Sequence, residues 1–364
     1  MATTRNDAAG KKRAWGGLIL RLSIMALLVG AALWVVADTP SRALINVSYD
    51  PTREFYADFD AAFTAAWKRE TDQTVVIRSL HGGSGAQADS VIAGEEADVV
   101  TLALAQDIDK LSAAGLVAKG WQARLPYDSS PYTSTIVFLV RKGNPKAITD
   151  WADLLRPGVG VVTANPKTSG GGRWAFLAAW AWAARAAANG EDPDRAAEAY
   201  VSALYRQVVA LDDGARGATL SFTEGGLGDV LLAWENEAFL AIEEHGDEAD
   251  GGFEIVVPSL SILAQPTVAV VDHNVDRHET RPLAEAYLAY LYSPDGQRLA
   301  ARHHYRPLRP EQADWDDRAR FASLRLVTVG EAFGGWKAAQ PRFFDDGGVF
   351  DRIHAAIGPL PLKD

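Results

Sequence analysis

The chain has 364 residues, 48% hydrophobic and 23% charged, long enough for two lobes with separate cores and too apolar for general disorder. It has no cysteine, which excludes disulfides, thiolate metal sites, a cysteine nucleophile and a lipid-anchored N-terminal cysteine. A net charge of −11 disfavours nonspecific binding to nucleic acid or anionic membrane surfaces.

The N-terminus departs from the rest. Lys11, Lys12, Arg13 and Arg21 precede an apolar run from Leu22 to Ala37. That is the layout of a secretory signal, and at 16 residues the run is shorter than the roughly 20 that a spanning helix prefers. Ser41-Arg42-Ala43 puts small residues at −3 and −1 of a cut before Leu44. An uncleaved membrane anchor is the alternative, because Leu18 to Leu20 extend the run. Residues 1–43 carry six basic and two acidic side chains, a net +4, so the remainder carries −15 of the total −11.

From Leu44 short apolar runs alternate with helical stretches. Leu44 to Tyr49 predicts a strand, and Asp50-Pro51 a helix start with Asp50 as N-cap. Phe55, Phe59, Phe63 and Trp67 fall four apart, one apolar helix face. Strands are predicted at 75–77 and 98–104 with a helix over 86–93 between them, the β-α-β-α-β rhythm of an open parallel sheet. Further strands are predicted at 135–140, 159–163, 208–211, 253–257 and 267–271. Helices are predicted over 174–187, 229–244 and 283–292, the last ended by Ser293-Pro294, and 188–198 reads as a polar surface turn.

Three times a strand runs into a Gly-rich loop and then a helix: "HGGSGAQ" (81–87), "TSGGGRW" (168–174) and "DGARGAT" (213–219). That order places each loop at the carboxyl end of a parallel strand, where ligands bind in open α/β sheets. Each helix N-terminus carries about +0.5 of a charge, so three converging on one point neutralise a small dianion. A flexible surface turn is the plainer reading of any one loop alone. "NPKTSGGGRW" is not a nucleotide phosphate loop, because no Lys-Ser or Lys-Thr follows its glycines. His81 and Ser84 do not make a triad on spacing, "GGSG" lacks the G-x-S-x-G elbow, and neither His303-His304 nor Asp345-Asp346 has metal-ligand spacing. No catalytic set, metal or cofactor is expected.

Longer motifs carry a resemblance. "NVSYDPTREFY", "PYTSTIVFLVRKGNPK", "NPKTSGG.RW", "GARG", "GDVLLAWENEA" and "FGGW..AQ..FF.DGG.FD" resemble the periplasmic sulfate-binding proteins of the sulfate/thiosulfate ABC importer family, from about Leu44 to Ile353. The resemblance implies an α/β fold of two lobes, a type II-like periplasmic binding protein. Each lobe is an open, mostly parallel sheet flanked by helices, with the ligand in the cleft between them. The lobes are expected at 44–138, 139–262 and, returning to the first with the C-terminal helices, 263–364. The resemblance further implies capture of sulfate by neutral donors and delivery to the membrane permease of an ABC importer by a monomeric periplasmic receptor. Thiosulfate, molybdate or phosphate are alternative ligands, and a serine hydrolase is an alternative of another class. Carried over residue by residue, the sulfate-binding set is Asp50 and Ser84 on one lobe, then Ser169, Gly170, Gly171, Ala215 through its amide and Trp234 through its indole on the other. Arg216 is expected nearby without touching the ligand, and Asp50 as an acceptor that orients loop donors. The family has Ala where this chain has Gly172, which is expected to loosen the helix start by roughly 1 kcal/mol.

Overall fold

A computed structural model of the chain describes residues 42–245, 252–358 and 362–363. The basic and apolar segment read as a signal or anchor lies outside the described residues.

Strand β1 (Arg42–Tyr49) leads through a turn of 3₁₀ helix into α1 (Arg53–Thr71). Phe55, Phe59 and Phe63 of α1 are buried as their spacing predicts, and Tyr287 packs edge-on against Phe59 and Phe63 at 5.2 Å each. Then come β2 (Val75–Gly82), α2 (Ser84–Ile92), β3 (Val99–Leu102) and α3 (Ala105–Ala113). The first sheet has the order Thr267–Val270, β3, β1, β2; β3 is parallel to β1, and Thr267–Val270 runs antiparallel to β3.

The second sheet is built from β4 (Ile136–Arg141), β5 (Val161–Ala164), β6 (Val208–Asp212), β7 (Val230–Trp234) and β8 (Phe253–Val256). Its order is Leu362–Lys363, β6, β5, β7, β4, β8. β5 is parallel to β6 and β7, whereas β4 is antiparallel to both its neighbours. β4, which the expected lobe boundary at 138/139 cuts, runs whole in this sheet. The two sheets with their helices form the two lobes. Helix α4 (Gly170–Ala186) has thirteen of its seventeen residues buried, so it packs on all sides rather than along one stripe. α5 (Pro193–Tyr205) and α6 (Ala215–Thr223) complete this layer.

Three expectations change. Residues 229–244 are not one helix: Val230–Trp234 is β7, paired with β4 from Val140↔Val230 to Ile136↔Trp234, and α7 (Glu235–His245) starts after it. A continuous run of five buried apolar residues satisfies a doubly covered strand as well as a helix, and periodicity cannot separate them. Asp192 caps α5 by accepting from the Asp194 amide at 3.0 Å, so half of the supposed surface turn is helix. Ser293-Pro294 opens a helix (Pro294–Arg302) as well as ending one (Arg281–Tyr290), with the Ser293 hydroxyl accepting from the Gly296 amide.

Candidate functional site

β1, β2, β5, β6 and β7 all deliver their carboxyl ends to one place between the lobes. A small, tightly closed pocket lies there, lined by Tyr49, Asp50 and Pro51, by Gly82, Gly83 and Ser84, and by Ser169, Gly170, Gly171, Ala215 and Trp234. All seven residues singled out in the sequence therefore meet, although they span 185 positions from Asp50 to Trp234.

The helix starts explain why. Ser84 is the first residue of α2, Gly170 and Gly171 open α4, and Ala215 opens α6. Amides in a first helical turn have no carbonyl four residues back, so these four N–H groups are free to donate to something outside their helices. The three helix termini add their partial positive charge at the same point. Ser169 caps α4: its hydroxyl oxygen accepts from the Gly172 amide at 3.3 Å, which leaves its proton to donate elsewhere. The Trp234 indole Nε1 is buried and has no hydrogen-bond partner. A Cβ on Gly171 would stand 2.5 Å from that nitrogen, so only glycine lets the helix start approach the indole.

The side chains behind the donors are tied off. The Ser84 hydroxyl donates to Asp107 Oδ2 at 2.6 Å and accepts from the Ala103 amide at 3.0 Å, so Ser84 faces the cavity with its amide as the available donor. His81 Nδ1 lies 3.3 Å from Thr52 Oγ1, so Ser84 and His81 do not form a nucleophile–base pair. Burial, then the Arg53 charge, pushes the His81 imidazole down to about 4. Arg216 Nη2 meets both Glu54 oxygens at 2.7 Å and Glu237 at 3.4 Å, consistent with a group beside the cavity rather than in it.

Asp50 does not cap α1. It begins the 3₁₀ turn Asp50–Thr52, no side-chain cap bond is made there or at Thr52, and its carboxylate accepts weakly from Arg53 Nη2 at 3.4 Å. The 3₁₀ turn moves the helix start two residues on, from Pro51 to Arg53, which removes the N-cap geometry read from Asp-Pro. Burial holds the Asp50 carboxyl above its usual range, opposed by Arg53 and Arg216. Gly172 is not a loose spot either. A Cβ there would come within 2.5 Å of the Ala164 carbonyl and 2.8 Å of Pro166 N, so in this chain the β5–α4 turn presses onto the helix start.

Two residues missed in the sequence support the site. Arg173 Nη1 pairs with Asp107 Oδ1 at 2.8 Å across the lobes, and both side chains are almost wholly buried. Trp174 Nε1 donates to the Ala103 carbonyl at 3.0 Å, also across the lobes. Arg173 and Trp174 directly follow the glycines of "TSGGGRW", which was the available signal. Among the described residues no group of three or more His, Asp or Glu is placed to hold a metal ion, and no helix is long and apolar enough to cross a membrane.

Residues 52–306 match the family model described as bacterial extracellular solute-binding protein. The sulfate-binding protein of Salmonella typhimurium is 57% identical over 310 residues, which cover 85% of this chain and 92% of that protein. The thiosulfate-binding protein of Pseudomonas aeruginosa is 47% identical over 335 residues, covering 92% and 98%. Among solved structures, the sulfate-binding protein SubI from Mycobacterium tuberculosis superposes with a TM-score of 0.73 at 31% identity, covering 83% of this chain and 99% of that one.

Proposed function

This chain belongs to the bacterial extracellular solute-binding proteins, alongside relatives named for sulfate and thiosulfate binding, and from that premise we propose that it captures sulfate in the periplasm and hands it to the permease of an ABC importer. The observation that carries the reading is the lining of the cavity: donors from both lobes converge there, and none of them is a charged side chain. Sulfate is a dianion with acceptors only. The amides of Asp50, Ser84, Gly170, Gly171 and Ala215, the Ser169 hydroxyl and the Trp234 indole are donors that match it. Hydrogen bonds to a charged group contribute about 1.5–3 kcal/mol each, and exclusion of water strengthens them. The ligand is enclosed by closure of the lobes about a hinge, and the permease reads the closed monomer.

Thiosulfate is the second reading, favoured by the thiosulfate-binding relative at 47% identity. It keeps tetrahedral geometry and charge, so the same donors serve. Isothermal titration of the purified protein against sulfate, thiosulfate, phosphate and molybdate separates the readings. Tight binding of sulfate with little response to phosphate is the expected result. Absence of heat with both sulfate and thiosulfate refutes the assignment.

A further inference from the structure

Gly83 and Gly214 are the N-caps of α2 and α6, positions where Ser, Thr, Asp or Asn ordinarily stands because its side chain satisfies a first-turn amide. Their backbones do not require glycine. Gly83 has φ −56° and ψ 133°, and Gly214 has φ −136° and ψ 163°, conformations open to any residue. What both lack is room. A Cβ on Gly83 would stand 2.9 Å from the Thr168 carbonyl oxygen and 3.1 Å from that of Asp213, both on the other lobe. A Cβ on Gly214 would run into Asp50 Oδ2, again across the cleft. Beside Gly83, the Gly85 amide donates to the same Thr168 carbonyl at 3.2 Å, so the lobes meet there backbone to backbone.

We propose that Gly83 and Gly214 are closure residues: their missing side chains let the lobes meet over the cavity, and a methyl group at either one props the cleft open. Neither is among the proposed ligand donors. Their effect on affinity acts through the fraction of molecules able to close, because apparent affinity falls in proportion to that fraction. The inference rests on the proposed anion capture for its affinity readout, but the seam itself is a property of the two lobes.

The test uses the full protein with inorganic sulfate, comparing wild type, Gly83→Ala, Gly214→Ala, Asp50→Ala and Gly214→Ala/Asp50→Ala by titration calorimetry and small-angle scattering. Ligand-free melting temperatures of the single variants should match wild type, since each lobe keeps its own core. Sulfate affinity of Gly214→Ala should fall about tenfold or more, about 1.4 kcal/mol at least, and the contraction on adding sulfate should shrink. Asp50→Ala sets the effect of losing that carboxylate on its own, and in its background the added Gly214→Ala change should cost several-fold less affinity than it does in wild type. The closed form is also read without any ligand. The chain has no cysteine, so Glu54→Cys/Arg216→Cys gives the only two thiols, and a short bifunctional thiol reagent bridges them across the cleft. Its yield should drop when Gly214→Ala is added. Wild-type affinity in Gly214→Ala, or a Gly214→Ala loss just as large in the Asp50→Ala background as in wild type, overturns the proposal. If wild type binds no anion the functional reading fails instead, and an unchanged cross-linking yield then decides against the closure role separately.

Discussion

Arg173 on one lobe and Asp107 on the other form a buried ion pair, Nη1 to Oδ1 2.8 Å, with 3% and 0% of the side chains exposed. The second Asp107 oxygen takes the Ser84 hydroxyl proton, and Arg173 Nε donates to the Pro166 carbonyl at 2.9 Å. One carboxylate thus links the first turn of α2 to the loop that opens α4. A charge left alone in such a place is strongly destabilising, by about 3–5 kcal/mol. Arg173→Ala and Asp107→Ala should each lower the unfolding free energy by about that amount, whereas an Arg173→Met/Asp107→Leu pair should lose clearly less than the sum. Urea titrations with unchanged m-values measure it. Losses under about 1 kcal/mol, the range of exposed pairs, would show that the pair opens to solvent.

Trp234 carries a donor with no partner, buried at the end of β7. Trp234→Phe keeps an aromatic ring against Tyr49, whose centroid is 5.5 Å away, and removes only the N–H and part of the ring system. Sulfate affinity should weaken by about 1.5–3 kcal/mol, roughly tenfold to a hundredfold. The rise in melting temperature on adding saturating sulfate should shrink accordingly, since that rise follows the ratio of ligand concentration to Kd. An affinity equal to wild type would mean the indole faces the cavity without touching the ligand.

Much of this site was legible in the chain because its signals are local. Each Gly-rich loop follows a strand and precedes a helix, and that order alone puts the loop at a sheet's carboxyl edge. The seam was not legible. Asp107 and Arg173 lie 66 positions apart on different lobes, and no local period pairs them. Trp234 lines the pocket with the other expected residues, but from a strand rather than the expected helix. Val230 to Trp234 reads equally as a turn and a half of helix or as a doubly buried strand, and its neighbours β4 and β5 decide. Asp50-Pro51 carries a helix-start pattern, but the 3₁₀ turn that it begins moves the cap to Thr52.

Asp60 supplies a pH dependence. It accepts from the Tyr287 hydroxyl at 2.6 Å and the Ser79 hydroxyl at 2.8 Å, yet burial outweighs both and pushes its carboxyl up to about 6. The folded state therefore holds the proton more tightly than the unfolded state, where the carboxyl titrates near 3.9. Its contribution to stability is fully present below about pH 4 and is lost as pH rises through about 6. Glu237, pushed up to about 7 by burial against the opposing pull of Arg216, acts in the same direction over a range that ends higher. Asp60→Asn keeps an acceptor and removes the titration, so its stability relative to wild type should be higher at pH 8 than at pH 4. Denaturant titrations of both proteins at the two pH values measure it, and a difference independent of pH rules out Asp60 as the titrating group.

Ser84 and Ser169 both line the cavity, but their hydroxyls are committed in opposite senses. The Ser84 proton goes to Asp107, leaving its amide for the ligand. The Ser169 oxygen takes the Gly172 amide, leaving its proton for the ligand. Alanine keeps a backbone amide and loses a hydroxyl, so the two substitutions should differ. Ser169→Ala loses the cap, about 1 kcal/mol of stability, and also a ligand donor, about 1.5–3 kcal/mol of binding. Ser84→Ala leaves Asp107 short of one donor and so costs stability, while its binding loss should be several-fold smaller than that of Ser169→Ala. Paired calorimetry and melting curves separate the two quantities. Equal binding losses would mean that the Ser84 hydroxyl turns from Asp107 to the anion when the ligand enters.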